Sequence, residues 1–207
     1  MAHLAQKNFC KDVKRKFPNK FKDARVLDVG SLDINGNNRF LFDGDYSYTG
    51  IDLGEGKNVD VVCRGHLYKS DEKFDVIVSS ECFEHDEFYR ETLLNIYSLL
   101  KDGGLFLFTC ATTGRPEHGT TRTSPADAPF VGDYYKNLEE KDIREVLDVE
   151  ELFSNFEFRV NKTPQDLYFW GIKKVSEKEE LVEEIQEEVQ EEVITENEEQ
   201  NVVIDDE

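Results

Sequence analysis

The chain has 207 residues, of which 38% are apolar, and a formal net charge of −20. This length suffices for one domain with a sizeable core and leaves little for a second. The acidic balance argues against duplex nucleic acid as a partner, because phosphate binding needs clusters of Lys and Arg. No run approaches the ~18 apolar residues of a membrane span, and no hydrophobic signal segment opens the sequence. We therefore expect a cytoplasmic protein that does not bind membranes or nucleic acid.

An amphipathic helix is predicted at residues 3–17, where Phe9, Val13 and Phe17 share one face before Pro18 ends the pattern. Apolar runs then predict strands and one further helix. The strands are at residues 25–29, 47–53, 58–63, 74–80 and 105–110, and the helix is at residues 88–100, before Gly103-Gly104. This alternation implies right-handed crossovers and a parallel sheet.

The alternation breaks at residues 111–135, a polar loop long enough to be a functional lid. Short helices are predicted at residues 139–147 and 150–154. Asn137, before the first of them, is predicted to belong to the substrate lid, with a role as the N-cap of that helix as the alternative. The last two strands are predicted at residues 156–160 and 167–173, joined by a turn as an antiparallel hairpin.

Most of the negative charge belongs to residues 176–207, which contain 15 acidic residues and one lysine. Apolar residues recur there every four positions, but like charges at this density favour a solvated segment over a stable helix. We therefore expect a folded domain at residues 1–175 and a disordered acidic tail at 176–207. Contact of this tail with an unknown protein partner is the alternative.

The pattern with the greatest bearing on function is RVLDVG at residues 25–30, followed by YTGIDL at residues 48–53. The first apolar run breaks at Gly30 into a turn, which lets backbone N–H groups approach a ligand. The second run ends near Asp52, whose carboxylate accepts hydrogen bonds from ribose hydroxyls. This order predicts a dinucleotide or adenosine cofactor across the turn.

Five segments of the chain, taken in order, resemble the class I S-adenosylmethionine-dependent methyltransferases, in particular the type 11 branch. These segments are VLDVG, YTGIDL, VDVVC, FDVIVSSECFEHD and LLKDGGLFLFTC. Two further segments are similar to a narrower bacterial and phage subgroup of methyltransferase-like proteins. They are TCATTGRPEHGT at residues 109–120 and DYYKNL at residues 133–138. The resemblance covers roughly residues 24–173. It implies an α/β, Rossmann-like seven-stranded sheet in the order 3-2-1-4-5-7-6, with strand 7 antiparallel and helices on both faces.

The resemblance implies S-adenosyl-L-methionine as cofactor, held by residues that follow the parallel strands. These are Asp28, Gly30, Ser31, Asp52, Leu53, Gly65, His66, Glu81 and Cys82. Two departures stand out. The turn continues from Gly30 as SLDING instead of G-x-G-x-G, and Arg64 stands where the family often places an adenine-binding Asp. Because Arg cannot accept a hydrogen bond, adenine would rest on backbone groups around Gly65 and His66.

His85 is the candidate general base, since the ordinary pKa of histidine lies near neutrality. The alternative is a helix-start histidine bonded to a nearby carboxylate. Glu84, His85 and Asp86 could bind a metal only with an additional ligand from the loop, Glu117 or His118. Adjacent residues on one turn diverge, so we expect no metal.

The loop supplies the predicted substrate-binding residues Arg115, His118, Arg122, Tyr134 and Tyr135. Two arginines over the crevice predict a substrate with a carboxylate or phosphate, which Arg binds bidentately. The alternative is that both arginines pair with carboxylates of the loop, such as those of Glu117 or Asp127, and only order it.

The predicted function is therefore methyl transfer to a small metabolite, anionic or sugar-linked. A non-catalytic binding or assembly module with the same fold is the alternative, suggested by the single-glycine turn and Arg64. A nicotinamide-dependent oxidoreductase shares the turn and the acid but lacks the expected G-x-G-x-x-G.

Overall fold

The computed structural model describes residues 4–176, almost all of which belong to the compact unit Met1–Lys174. Its helices are α1 (Leu4–Lys16), α2 (Tyr89–Leu99), α3 (Glu140–Arg144) and α4 (Val149–Leu152). Its strands are β1 (Arg25–Val29), β2 (Ser47–Asp52), β3 (Val61–Val62), β4 (Phe74–Ser80), β5 (Leu100–Ala111), β6 (Phe153–Asn161) and β7 (Asp166–Lys173). The predicted acidic tail lies outside the described residues, apart from its first residue.

The seven strands form one sheet in the order β3-β2-β1-β4-β5-β7-β6. Neighbouring strands from β3 to β5 pair in parallel, and β7 pairs antiparallel with both β5 and β6. The predicted fold class, strand order and antiparallel strand 7 are confirmed. The order reverses between β1 and β4, and ligands of open α/β sheets bind beside the carboxyl ends of strands at such a point.

Alternation along the strands divides the core between the two faces of the sheet. On β1, Val26 packs with Phe9 and Val13 of α1, whereas Leu27 packs in the cluster that contains Leu93 of α2. Residues of α3 and α4 join the α2 side, including Ile143. Helices on both faces are therefore confirmed.

The start of β5 corrects one prediction. The Gly103-Gly104 pair does not end the preceding helix, because α2 ends at Leu99 and β5 begins at Leu100. Gly103 has φ 68°, and the register with β4 shifts between Phe74 and Val76. The glycines therefore shape an irregular strand start.

The N-cap of α3 is Glu139, which forms a reciprocal capping box with Asp142. The alternative in which Asn137 caps this helix is therefore wrong. Asn137 instead donates from Nδ2 to the carbonyl oxygen of Arg115 at 2.9 Å. It thus joins the two ends of the long loop that precedes α3.

The cysteines Cys10, Cys63, Cys82 and Cys110 are all free thiols. Within residues 4–176, no helix combines the length and the apolar character that crossing a bilayer requires.

Phe169 on β7 is fully buried, with its ring 5.3 Å from that of Phe108 and 4.7 Å from that of Phe158. We expect Phe169→Ala to lower the free energy of unfolding by about 3–5 kcal/mol, because a large buried side chain leaves a cavity. Urea denaturation followed by circular dichroism measures this loss. The control is Val160→Ala on β6, whose side chain is 56% exposed and whose loss should stay below about 0.5 kcal/mol. Equal losses would contradict this account of the core.

Candidate functional site

A pocket of about 1110 Å³, including space open to solvent, lies beside the carboxyl ends of β1, β2 and β4. Eight of the nine predicted cofactor residues line it, namely Asp28, Gly30, Ser31, Asp52, Leu53, Gly65, Glu81 and Cys82. The ninth, His66, is not among the lining residues and packs against Phe88, with ring centroids 4.4 Å apart and the rings tilted by 37°. The parallel strands thus bring together residues that are up to 54 positions apart in the sequence.

The turn after β1 needs a glycine at its first position. Gly30 has φ 79°, and a Cβ there would lie 2.6 Å from both Cβ and Sγ of Cys82. The N–H groups of Gly30 and Ser31 both donate to the carbonyl oxygen of Ile51, at 2.9 and 3.0 Å. The turn is therefore fixed to the end of β2.

The rest of the turn is ordered by Asp33 in place of the further glycines of the family pattern. Its Oδ1 accepts a hydrogen bond from the N–H of Gly36 at 2.7 Å, and its Oδ2 pairs with Lys57 at 2.7 Å. Gly36 has φ 120° and lines the pocket. Gly36 was not among the predicted site residues, although the run DINGN is rich in turn residues.

Asp52, at the end of β2, both orders the turn and lines the pocket. Its Oδ2 accepts a hydrogen bond from the N–H of Leu32 at 2.9 Å, and its Oδ1 accepts one from the N–H of Leu53 at 2.7 Å. Burial raises the pKa of this carboxyl, and the backbone hydrogen bonds oppose that rise. Each carboxylate oxygen has a second lone pair, so hydroxyl groups of a ligand can still bind.

Asp28 is buried among donors from three segments of the chain. It accepts hydrogen bonds from the hydroxyl of Tyr48 and from the amides of Asn38 and Asn58, each amide at 3.4 Å. Burial raises the pKa of Asp28 to about 6, and the hydrogen bonds from Tyr48 and Asn38 oppose that rise. The sequence gives no signal for these partners, because the contacts depend on how β2 and the loops on either side of it pack beside β1.

Glu81 follows β4 in a left-handed conformation, with φ 53°. It is 8% exposed, and neither of its carboxylate oxygens has a hydrogen-bond partner among the described residues. Burial raises its pKa, and the carboxylates of Glu84 and Asp166 raise it further. Since buried polar groups are nearly always paired, this pocket-lining carboxylate suits a positively charged ligand group.

The long loop between β5 and α3 folds over the pocket through a segment that the sequence analysis did not single out. Residues 127–131 and Tyr134 line the pocket. A Cβ on Gly54 would lie 2.3 Å from the ring of Phe130, so the glycine permits this close contact. Of the five predicted substrate residues, Tyr134 is the only one that lines the pocket.

The two arginines of the loop pair with carboxylates of the protein. Arg115 donates to Asp166 at 2.8 Å, and Arg122 pairs with Glu117 at 3.0 Å and with Asp133 at 3.4 Å. Neither guanidinium lines the pocket. The pairing of Arg122 with Glu117 matches the second of the two arrangements that the sequence left open, whereas Arg115 pairs with Asp166 of β7 and not with a carboxylate of the loop.

Arg64 lines the pocket, but its guanidinium is held by neighbouring side chains. It pairs with Glu87 at 3.2 Å and lies over the ring of Phe88, 5.1 Å from the centroid. Backbone groups near Gly65 remain beside the pocket, where the sequence analysis expected adenine to rest.

His85 lines the pocket and is buried. Burial and the nearby His118 lower its pKa to about 3, so the imidazole is neutral at pH 7 and accepts a proton weakly. One ligand atom each of Glu84, His85 and His118 lies within 4.8 Å of the others, so two of the three adjacent residues converge on the loop histidine, whereas Asp86 does not belong to this group. The ring of Tyr135 lies 5.5 Å from that of His85 and 5.1 Å from that of His118.

Comparison with known families settles which family this site belongs to. A family model described as a methyltransferase domain matches residues 1–127, more than half of the chain. The chain belongs to the methyltransferase domain family. The predicted resemblance is confirmed at this level, and with it the enzyme class and S-adenosylmethionine as the cofactor of that class. The bacterial and phage subgroup stays a prediction.

Solved structures share the fold of this methyltransferase domain at low sequence identity. The 1,6-didemethyltoxoflavin-N1-methyltransferase of Burkholderia thailandensis is 16% identical with a TM-score of 0.59, over 83% of this chain and 79% of that one. Phosphoethanolamine N-methyltransferase 2 of Haemonchus contortus is 17% identical with a TM-score of 0.58, over 81% of this chain and 53% of that one. The N-methyltransferase NodS of Bradyrhizobium japonicum is 13% identical with a TM-score of 0.54, over 82% and 97%.

This chain thus spans about half the length of the Haemonchus enzyme. No protein with a curated description matches the sequence.

The buried Asp28 predicts a pH dependence of stability. Its pKa in the folded protein is about 6, above the ordinary value of 3.8, so the folded state holds this proton more tightly than the unfolded state. The stability that this group contributes is fully present below pH 3.8 and is lost as the pH rises through about 6. The loss amounts to about 3 kcal/mol.

Asp28→Asn removes this titration, so the stability of the native methyltransferase relative to that variant should fall by about 3 kcal/mol between pH 3.5 and 7. Urea unfolding at a series of pH values measures both proteins. Asp45→Asn, an exposed carboxylate outside the pocket, is the control. Parallel pH profiles for the native protein and Asp28→Asn would show that the Asp28 proton does not contribute.

Proposed function

We propose that this methyltransferase binds S-adenosylmethionine in the pocket at the carboxyl ends of β1, β2 and β4 and methylates a small molecule. The observation that carries the proposal is that the turn beginning at Gly30 and the carboxylate of Asp52 line the same open pocket and are joined by a hydrogen bond from the N–H of Leu32.

The donors and acceptors of the pocket fit this cofactor. Asp52 offers lone pairs to the two hydroxyls of a ribose, and the absence of a side chain at Gly30 lets backbone approach the ligand. The unpartnered carboxylate of Glu81 suits the cofactor's ammonium group. When bound, S-adenosylmethionine supplies a methyl group activated by a sulfonium.

The residues of the chain then contribute positioning and exclusion of water. The hydrogen bonds of Asp28 and Asp52 hold the turn after β1 in one geometry, which reduces the entropy lost when the reactants are aligned. Phe130 and Tyr134 of the loop line the pocket and would limit the access of water to a bound ligand. No protein group needs to form a covalent bond during a direct methyl transfer.

The charge of the pocket bears on the methyl acceptor. Six carboxylates line it, those of Asp28, Asp52, Glu81, Asp86, Glu87 and Asp127. The one lining arginine or lysine is Arg64, which is paired with Glu87. Since such a field disfavours anions, we propose an acceptor that is neutral or cationic at its reacting group, in place of the anionic metabolite expected from the two arginines. A sugar-linked acceptor remains compatible with this charge.

The structure weakens both arguments for the alternative of a non-catalytic module. The turn that lacks glycines is ordered by Asp33, and Arg64 is engaged with Glu87. Both departures therefore leave a pocket with room for a ligand.

Calorimetric titration with S-adenosylhomocysteine tests the proposal. We expect binding to the native protein and a roughly ten- to hundredfold weaker affinity for Asp52→Asn, because hydrogen bonds to a charged group contribute about 1.5–3 kcal/mol. Asp45→Asn should bind like the native protein. Thermal melting confirms that each variant is folded.

Two outcomes would remove the proposal. One is the absence of binding to the folded native protein at millimolar ligand. The other is an unchanged affinity in Asp52→Asn. Transfer of a labelled methyl group to a component of a metabolite extract would in turn exclude the non-catalytic alternative.

A further inference from the structure

We propose that Glu84, His85 and His118 form a binding site for a divalent transition-metal ion beside the cofactor pocket. One carboxylate oxygen and one nitrogen from each imidazole lie within 4.8 Å of one another. Glu84 and His85 belong to the turn after β4, and His118 comes from the loop after β5. The site thus joins two segments that share no local sequence pattern.

Two atoms of this cluster are buried and have no hydrogen-bond partner within residues 4–176. Glu84 is fully buried, and its Oε1 accepts a hydrogen bond from the N–H of Ala111 at 3.2 Å, while its Oε2 has no partner in that part of the chain. The same holds for the buried Nδ1 of His85. Burying such atoms unpaired costs free energy, which a bound cation would offset.

The third ligand, His118, is oriented by a contact of the kind that supports metal-bound histidines. Its Nδ1 lies 3.1 Å from the carbonyl oxygen of Pro116. When Nδ1 carries the proton and donates to that oxygen, Nε2 retains the lone pair that a metal needs. Gly119 lets the loop pack closely here, because a Cβ at its position would lie 2.7 Å from Cε1 of His85.

The electrostatics of the region favour a cation. Glu81, Glu84 and Asp166 are buried carboxylates close enough to influence one another, and Arg115 pairs with Asp166. A divalent cation would stabilise the carboxylate and coordinate the neutral imidazole directly.

The ammonium group of the cofactor does not meet this need. Glu84 and His118 are not among the pocket-lining residues, and imidazole lone pairs are typical metal ligands. Two imidazoles and one carboxylate favour zinc, iron or cobalt over magnesium or calcium, which prefer oxygen ligands. Because His85 lines the pocket, the remaining coordination position would take an oxygen ligand such as water or an acceptor hydroxyl. The acceptor part of this statement rests on the proposed function.

The test is calorimetric titration of the metal-stripped full chain with Zn²⁺ in the absence of cofactor. We expect one site that is lost or weakened at least about 100-fold in His118→Gln, since even outer partners of metal ligands contribute 10–100-fold to affinity. His66→Gln is the matched control, because His66 lies outside the cluster and should leave zinc affinity unchanged. Glu84→Gln, which keeps the shape of the side chain, should weaken zinc binding as well.

Co²⁺ provides a spectroscopic readout of the ligands. The native protein should show visible cobalt bands without thiolate-to-cobalt charge transfer, and His118→Gln should lose them. Three results would overturn the proposal: zinc affinity weaker than about 100 µM, zinc affinity unchanged in His118→Gln, or a cobalt spectrum with thiolate bands. Since S-adenosylhomocysteine binding is measured separately, failure of the metal site and failure of the proposed function are distinguishable.

Discussion

The structure of the site depends on one carboxylate that serves the backbone and the pocket at once. Asp52 ends β2 and accepts hydrogen bonds from the N–H groups of Leu32 and Leu53, while its side chain still lines the pocket. The same strand end supplies the Ile51 carbonyl oxygen that receives the N–H groups of Gly30 and Ser31. The turn after β1 is therefore defined by β2, and the pocket proposed for the cofactor exists only because these parallel strands are adjacent in register.

The buried polar groups next to this turn explain how it keeps its shape with few glycines. Tyr48, Asn38 and Asn58 surround Asp28 and come from β2 and the loops on either side of it. A buried network of this kind is rigid when every member is paired, because the low local dielectric makes each unpaired group costly. The family pattern achieves a narrow turn with glycines, whereas this chain achieves it with side-chain hydrogen bonds.

The fold was predictable from the sequence to the extent that it depends on local apolar patterns. The bounds of β1 and β4 agree with the prediction, since each is a short apolar run that ends in polar residues. The start of β5 at Leu100 was missed, because the Gly103-Gly104 pair near the beginning of this strand is typical of the end of a helix. In the site, the residues that end strands were found, whereas the partner of Arg115 is Asp166, 51 positions away, and no local pattern marks such a pair.

Glu84 anchors the long loop between β5 and α3, a role that no local sequence pattern predicts. Its backbone carbonyl oxygen accepts a hydrogen bond from the N–H of Lys136 at 2.8 Å, and its carboxylate accepts one from the N–H of Ala111. Ala111 and Lys136 lie near the two ends of the long loop, so one residue after β4 anchors both. The loop therefore closes on a fixed point, and His118 within it is brought to the same carboxylate as a consequence. Anchoring of the loop and assembly of the three-ligand cluster are thus two results of a single packing arrangement.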